Sequence, residues 1–118
     1  MRRRYTASWW RQTHDRRRRG VGLVLAESHL ALVRALTRQH APHRQFYAFG
    51  SRVIGDAADR QRVKPHSDLD LAIAGEPLAL EQLFALRDAF SQSDLPMRVD
   101  IVRAEDLPEG WKILAWRL

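Results

Sequence analysis

Ser67-Asp68-Leu69-Asp70-Leu71-Ala72-Ile73 decides how this chain is read. Acidic and apolar residues alternate, the pattern of a strand with one face in a core. Leu69, Leu71 and Ile73 share that face, so Asp68 and Asp70 share the other, roughly 6.5–7 Å apart. An apolar strand takes carboxylates only at a cost, because a buried acid must be paired or must bind a metal. A second apolar run, Met97-Arg98-Val99-Asp100-Ile101-Val102, carries Asp100 in the same setting. Neighbouring strands lie about 4.8 Å apart, so Asp100 can come alongside the first pair. Three carboxylates so placed repel one another unless cations stand between them. That is the demand of two-metal phosphoryl or nucleotidyl transfer, in which ions roughly 3.5–4 Å apart clamp the attacking and leaving oxygens. Upstream, Gln45-Phe46-Tyr47-Ala48-Phe49 is β-prone and delivers Gly50-Ser51 at its end. Glycine there permits close backbone approach to a phosphate.

Taken in order, Gly50-Ser51-Arg52, Ser67-Asp68-Leu69-Asp70-Leu71-Ala72-Ile73 and Val99-Asp100 resemble the signature of the polymerase-beta-type nucleotidyltransferases. The likeness is to their minimal bacterial form, the minimal nucleotidyltransferase (MNT) family, and covers residues 46–102. It implies an α/β (α+β) fold in which a small mixed sheet is flanked by helices. It also implies that Gly50, Ser51, Arg52 and Ser67 bind the nucleotide. Asp68, Asp70 and Asp100 would be both the catalytic residues and the ligands of two Mg²⁺ ions, with Asp100 also activating the acceptor hydroxyl. The nucleotide implied is ATP. Members of the family commonly occur as antitoxins beside a HEPN toxin, and some adenylylate a tyrosine on that partner. Two positions depart from the family pattern. Ile54 stands where a second arginine is usual, and residues 52–67 make a longer link than usual between turn and carboxylates.

Two other functional classes fit the same residues: an antitoxin that neutralises by contact alone, and a small-molecule transferase resembling the aminoglycoside nucleotidyltransferases. A bland reading of each acid also exists, since single acids beside strands usually serve as turn formers or solvated ends.

At 118 residues the chain is read as one domain over 21–118 preceded by a basic extension over 1–20. With no room for an acceptor-binding domain, the acceptor is expected in trans. The net charge of +6 is concentrated in that extension, which holds eight arginines against Asp15 alone. The rest carries twelve basic and thirteen acidic side chains, so the body has no nucleic-acid signature. Only the arginine-rich N-terminus, with Trp9 and Trp10 among its cations, offers an RNA-binding composition, and a solvated extension explains it as well. The absence of cysteine fits a reducing cytoplasm, and no stretch has the length to span a membrane.

The coarse order is helix, strand, loop, strand, helix, strand, short helices. Residues 22–40 have the apolar spacing of an amphipathic helix closed by Pro42. Residues 56–66 are polar and expected to loop out. A helix is expected after Pro77, with Leu80, Leu83, Phe84 and Phe90 on the core. Residues 111–118 are expected as a last short helix. Arg34-x5-His40 and Arg38-x4-His43 match the loose spacing of HEPN ribonucleases, but those are all-helical and the strands here argue against that fold. His40 and His43 straddle Pro42, so no helix holds both as metal ligands. No Gly-x-x-x-x-Gly-Lys phosphate loop is present.

Overall fold

A computed structural model describes residues 22–118, so the arginine-rich extension over 1–20 lies outside the described residues. In chain order the elements are β1 (Gly22–Leu23), α1 (Glu27–His40), β2 (Gln45–Phe49), β3 (Val53–Ile54), β4 (Leu69–Ala74), α2 (Leu80–Gln92), β5 (Val99–Arg103) and β6 (Trp116–Arg117). Four strands form one mixed sheet in the order β5-β4-β2-β6, and β1 pairs with β3 in a separate two-stranded ribbon. Strands β4 and β5 run parallel, whereas β2 is antiparallel to both β4 and β6. The expected architecture, a small mixed sheet flanked by helices, is the one observed.

Period-two alternation sorts the sheet into two unlike faces. Phe46, Ala48, Leu69, Leu71, Ile73 and Ile101 point to one side and form the core with Val33 of α1 and Leu86 and Phe90 of α2. Leu69, Leu71, Leu86 and Val33 are the largest side chains fully removed from water. The other face carries Asp70 and Asp100, followed further along by Ala72 and Val102. A 3₁₀ turn at Trp111–Leu114 covers part of this second face. There the Trp111 ring meets Tyr47 and Phe49 edge-on, with centroids 5.6 and 6.2 Å away.

Four local expectations differ from the structure. Helix α1 begins at Glu27, not near residue 22, because Gly22 and Leu23 pair with Ile54 and Val53. Residues 56–66 are not a plain loop: Ala57–Arg62 is a 3₁₀ turn whose first N–H groups include Ala58, bonded to the Asp56 carboxylate at 2.9 Å. Helix α2 turns Leu80 and Phe84 to solvent, 62% and 55% exposed, and buries Leu86 instead. The short helix expected over residues 111–118 is a 3₁₀ helix confined to Trp111–Leu114, and the segment ends as strand β6 because Trp116 pairs with Ala48. Among the described residues no helix is long and apolar enough to cross a membrane.

Candidate active site

Asp70 and Asp100 are direct register partners on the parallel strands β4 and β5, which places their carboxylates side by side on the open face. Asp68 stands one residue before β4, where the Leu69 N–H donates to the Arg98 carbonyl at 2.8 Å and begins the pairing. The three acids read from the sequence are therefore gathered at one end of the sheet. Their mutual repulsion is visible at Asp70, which is held above the ordinary carboxylate range by burial first, then by Asp100 and Asp68.

The turn at Gly50–Arg52 leaves β2 beside this cluster. Phe49 is the register partner of Asp70, so the next residue, Gly50, lies against the Asp70 side chain. A Cβ at Gly50 would collide with Asp70 Oδ2, and φ there is +79°. Both facts require glycine at this position. Ser51 is exposed on the same turn.

Arg52 takes a different place from the one read from the sequence. Its side chain faces inward and only 4% of the residue is exposed. Its guanidinium donates from Nε to the Ser67 carbonyl (2.8 Å), from Nη1 to Val24 (2.7 Å) and from Nη2 to Pro65 (2.7 Å). Arg52 is thus a clamp on three main-chain segments, not a cation aimed at the triphosphate. Desolvation lowers its pKa, yet the three carbonyls satisfy the fork. Ser67, read as nucleotide-binding, has its carbonyl bound by that clamp and its N–H on the Lys64 carbonyl at 3.0 Å. The long link 52–67 is consequently tied at its far end to the turn from which it starts. Ile54, standing where the family has an arginine, is buried and paired with Gly22.

The residue that sequence reasoning overlooked is Arg98. Its Nη2 donates to Asp68 Oδ2 at 3.3 Å and its Nε lies 3.6 Å from Asp100 Oδ1. The side chain is 75% exposed. The signal was present, because Arg98 stands two residues before Asp100 and so shares its strand face. A cavity of about 720 Å³ opens here, with Asp70, Asp100, Arg98 and Arg87 among its polar walls and Phe90 and Met97 among its apolar ones.

Among the described residues no three carboxylate or histidine side chains close into a metal cage. The chemistry of the donors nevertheless fits divalent cations. Three carboxylates, whose oxygens are hard donors, are gathered at one end of the sheet; Asp70 is pushed towards its protonated form, and a guanidinium lies on the other two.

A mixed sheet flanked by helices, with paired aspartates on its parallel strands met by a glycine turn from an antiparallel neighbour, is consistent with a nucleotidyltransferase-type fold. No family model matches the chain. A protein of Haemophilus influenzae described as "Probable protein adenylyltransferase MntA" is 44% identical over 81 residues, which is 68% of this chain and 66% of that protein. The chain belongs to the minimal nucleotidyltransferase family. The match spans just under two thirds of the relative's length.

Proposed function

We propose that this protein transfers AMP from ATP to a hydroxyl group on a protein, with Asp68, Asp70 and Asp100 at the reacting centre. The observation that carries this reading is the Asp70–Asp100 register pair beside Gly50, since a paired-carboxylate site at the mouth of a groove suits phosphate-centred chemistry. The similarity to a protein named as an adenylyltransferase supports AMP as the transferred group.

The acceptor oxygen attacks the α-phosphorus, the bond to the bridging oxygen breaks, and pyrophosphate leaves with the electron pair. Asp100, on the outer strand of the pair, takes the acceptor proton. Asp68, Asp70 and Asp100 would hold Mg²⁺, which supplies positive charge to the phosphate oxygens when bound. Gly50 gives the phosphates room to approach the main chain, and Ser51 offers a hydroxyl donor. Arg52 fixes both ends of the link from turn to carboxylates, keeping Gly50 and Asp68 in a constant relation. Arg98 holds Asp68 and Asp100 in the free protein and releases them as the site loads. Exposed ion pairs are worth about 0.2–1 kcal/mol each, so that release is cheap. The acceptor consistent with the family resemblance is a tyrosine on a HEPN toxin, which makes this chain its antitoxin.

Incubation with α-³²P-ATP and Mg²⁺, with and without the candidate toxin, tests the reading. Label on the toxin that is lost with Asp68→Asn supports it. A stable complex without label overturns catalysis in favour of neutralisation by contact. Label on an aminoglycoside alone overturns the protein acceptor.

A further inference from the structure

At the end of the sheet remote from the carboxylates, four arginines line one small cavity. Arg34 and Arg38 come from α1, Arg44 from the segment entering β2, and Arg117 from β6, with Thr37, Gln45, Phe46 and Leu118 completing the wall. The cavity measures about 120 Å³, the share of roughly four water molecules in the liquid and enough for one tetrahedral oxyanion. Strand β2 spans from this cavity to the active site, since Phe46 lines the one and Phe49 pairs with Asp70. Three residue steps along a strand separate them by roughly 10 Å.

Residues 22–118 carry no excess of positive charge, yet four of their twelve basic side chains converge here. None of the four takes part in an ion pair among the described residues. Arg44 Nε donates to the Glu76 carbonyl at 2.9 Å, which fixes the side chain without neutralising it. Arg38 lies in the last turn of α1, where a cation offsets the helix dipole. That accounts for one charge and not for the convergence. Arg34 lies over the Trp116 ring, 5.4 Å from its centroid, and so is held in one orientation. Its Nε is buried and has no hydrogen-bond acceptor. A buried donor without a partner costs about 1–3 kcal/mol, and like charges around a void repel one another. One anion inside the cavity offsets that repulsion.

We propose that this cavity binds the phosphate group of a ligand, as a second anion site separate from the carboxylate cluster. Arginine forks match phosphate oxygens in pairs, and four of them from three segments enclose the group on several sides. Two sources carry that chemistry, a free phosphate compound or the backbone of an RNA strand.

A ¹H–¹⁵N NMR titration of the full chain with inorganic phosphate tests the site. Saturable shifts at residues 34, 38, 44 and 117 are expected, and Arg34→Met, which keeps the apolar stem over Trp116, should weaken them at least tenfold. The exposed pair Arg38→Gln with Arg117→Gln gives the same loss without disturbing the core. Absence of shifts there, or shifts confined to residues 50–51, overturns the proposal, as does a response unchanged in the double variant. A parallel titration with short oligouridylate identifies the source. Tighter binding than phosphate, weakening steeply with salt, marks an RNA backbone; no gain over phosphate marks a small phosphate compound.

Discussion

The segment from Gly50 to Ser67 and the segment from Met97 to Arg103 both deliver groups to the same carboxylates, and each is secured by an arginine of opposite character. Arg52 is sealed from water and spends its fork on three carbonyls. Arg98 stands in solvent and rests on two acids. The first arrangement is costly to break, because each abandoned carbonyl loses a charge-assisted bond in a desolvated setting. The second is cheap to break, because water replaces it. In the proposed reaction the difference separates what stays fixed, the spacing of turn and acids, from what exchanges when a charged substrate arrives.

The largest effect is expected at Asp70. Asp70→Asn should lower label transfer by about 100-fold or more, the scale of losing one charged contact to a reacting group. It should also raise the Tm of the metal-free protein by a few degrees near neutral pH. The sign follows from the raised pKa: folding favours the protonated acid, so the wild-type chain loses stability as pH climbs from the ordinary value through the raised one. Asparagine has no charge to lose, and the gain should vanish in acid. Thermal melts in EDTA across that range check it.

Arg52→Met should destabilise the fold by about 3 kcal/mol, read by urea denaturation, since three carbonyls lose their donor together. Arg52→Lys should recover little of it, because an ammonium cannot reproduce the fork. If lysine restores stability fully, the contrast between the two arginines fails. Gly50→Ala should cost about 1–2 kcal/mol for the left-handed backbone alone, with the collision at Asp70 added to it, and should cut activity more than stability. Arg98→Gln is the mildest change. Stability should move by less than about 1 kcal/mol, while Mn²⁺ binding measured by electron paramagnetic resonance should tighten a few-fold. Unchanged or weaker Mn²⁺ binding would mean that Arg98 does not compete for the acids.

Much of this site was legible because it rests on period-two patterns. Leu69, Leu71 and Ile73 announce the buried face, and Asp70 and Asp100 sit at matching places in two apolar runs. What a sequence does not encode locally is the direction of a long side chain. Arg52 follows Gly-Ser and carries the charge a triphosphate wants, yet the carbonyls that claim it belong to Val24, Pro65 and Ser67. Helix α2 was misread for a related reason. Apolar residues lie around most of its circumference, so spacing alone did not choose Leu86 over Leu80 and Phe84. Strand β6 has two residues, too few to show any period, and exists because β2 offers it an edge.

The parallel pairing of β4 with β5 bears on when the site comes into being. Parallel strands cannot be joined by a tight turn, so the chain must run through α2 before Asp100 reaches Asp70, thirty residues behind it. The register pair at the centre of the site is therefore a long-range contact, formed only after that crossover has closed and its helix has docked. A partly folded chain can hold hairpins and a nascent helix and still have no active centre. Transfer activity in a refolding experiment should accordingly lag the recovery of helical circular dichroism and count finished molecules alone.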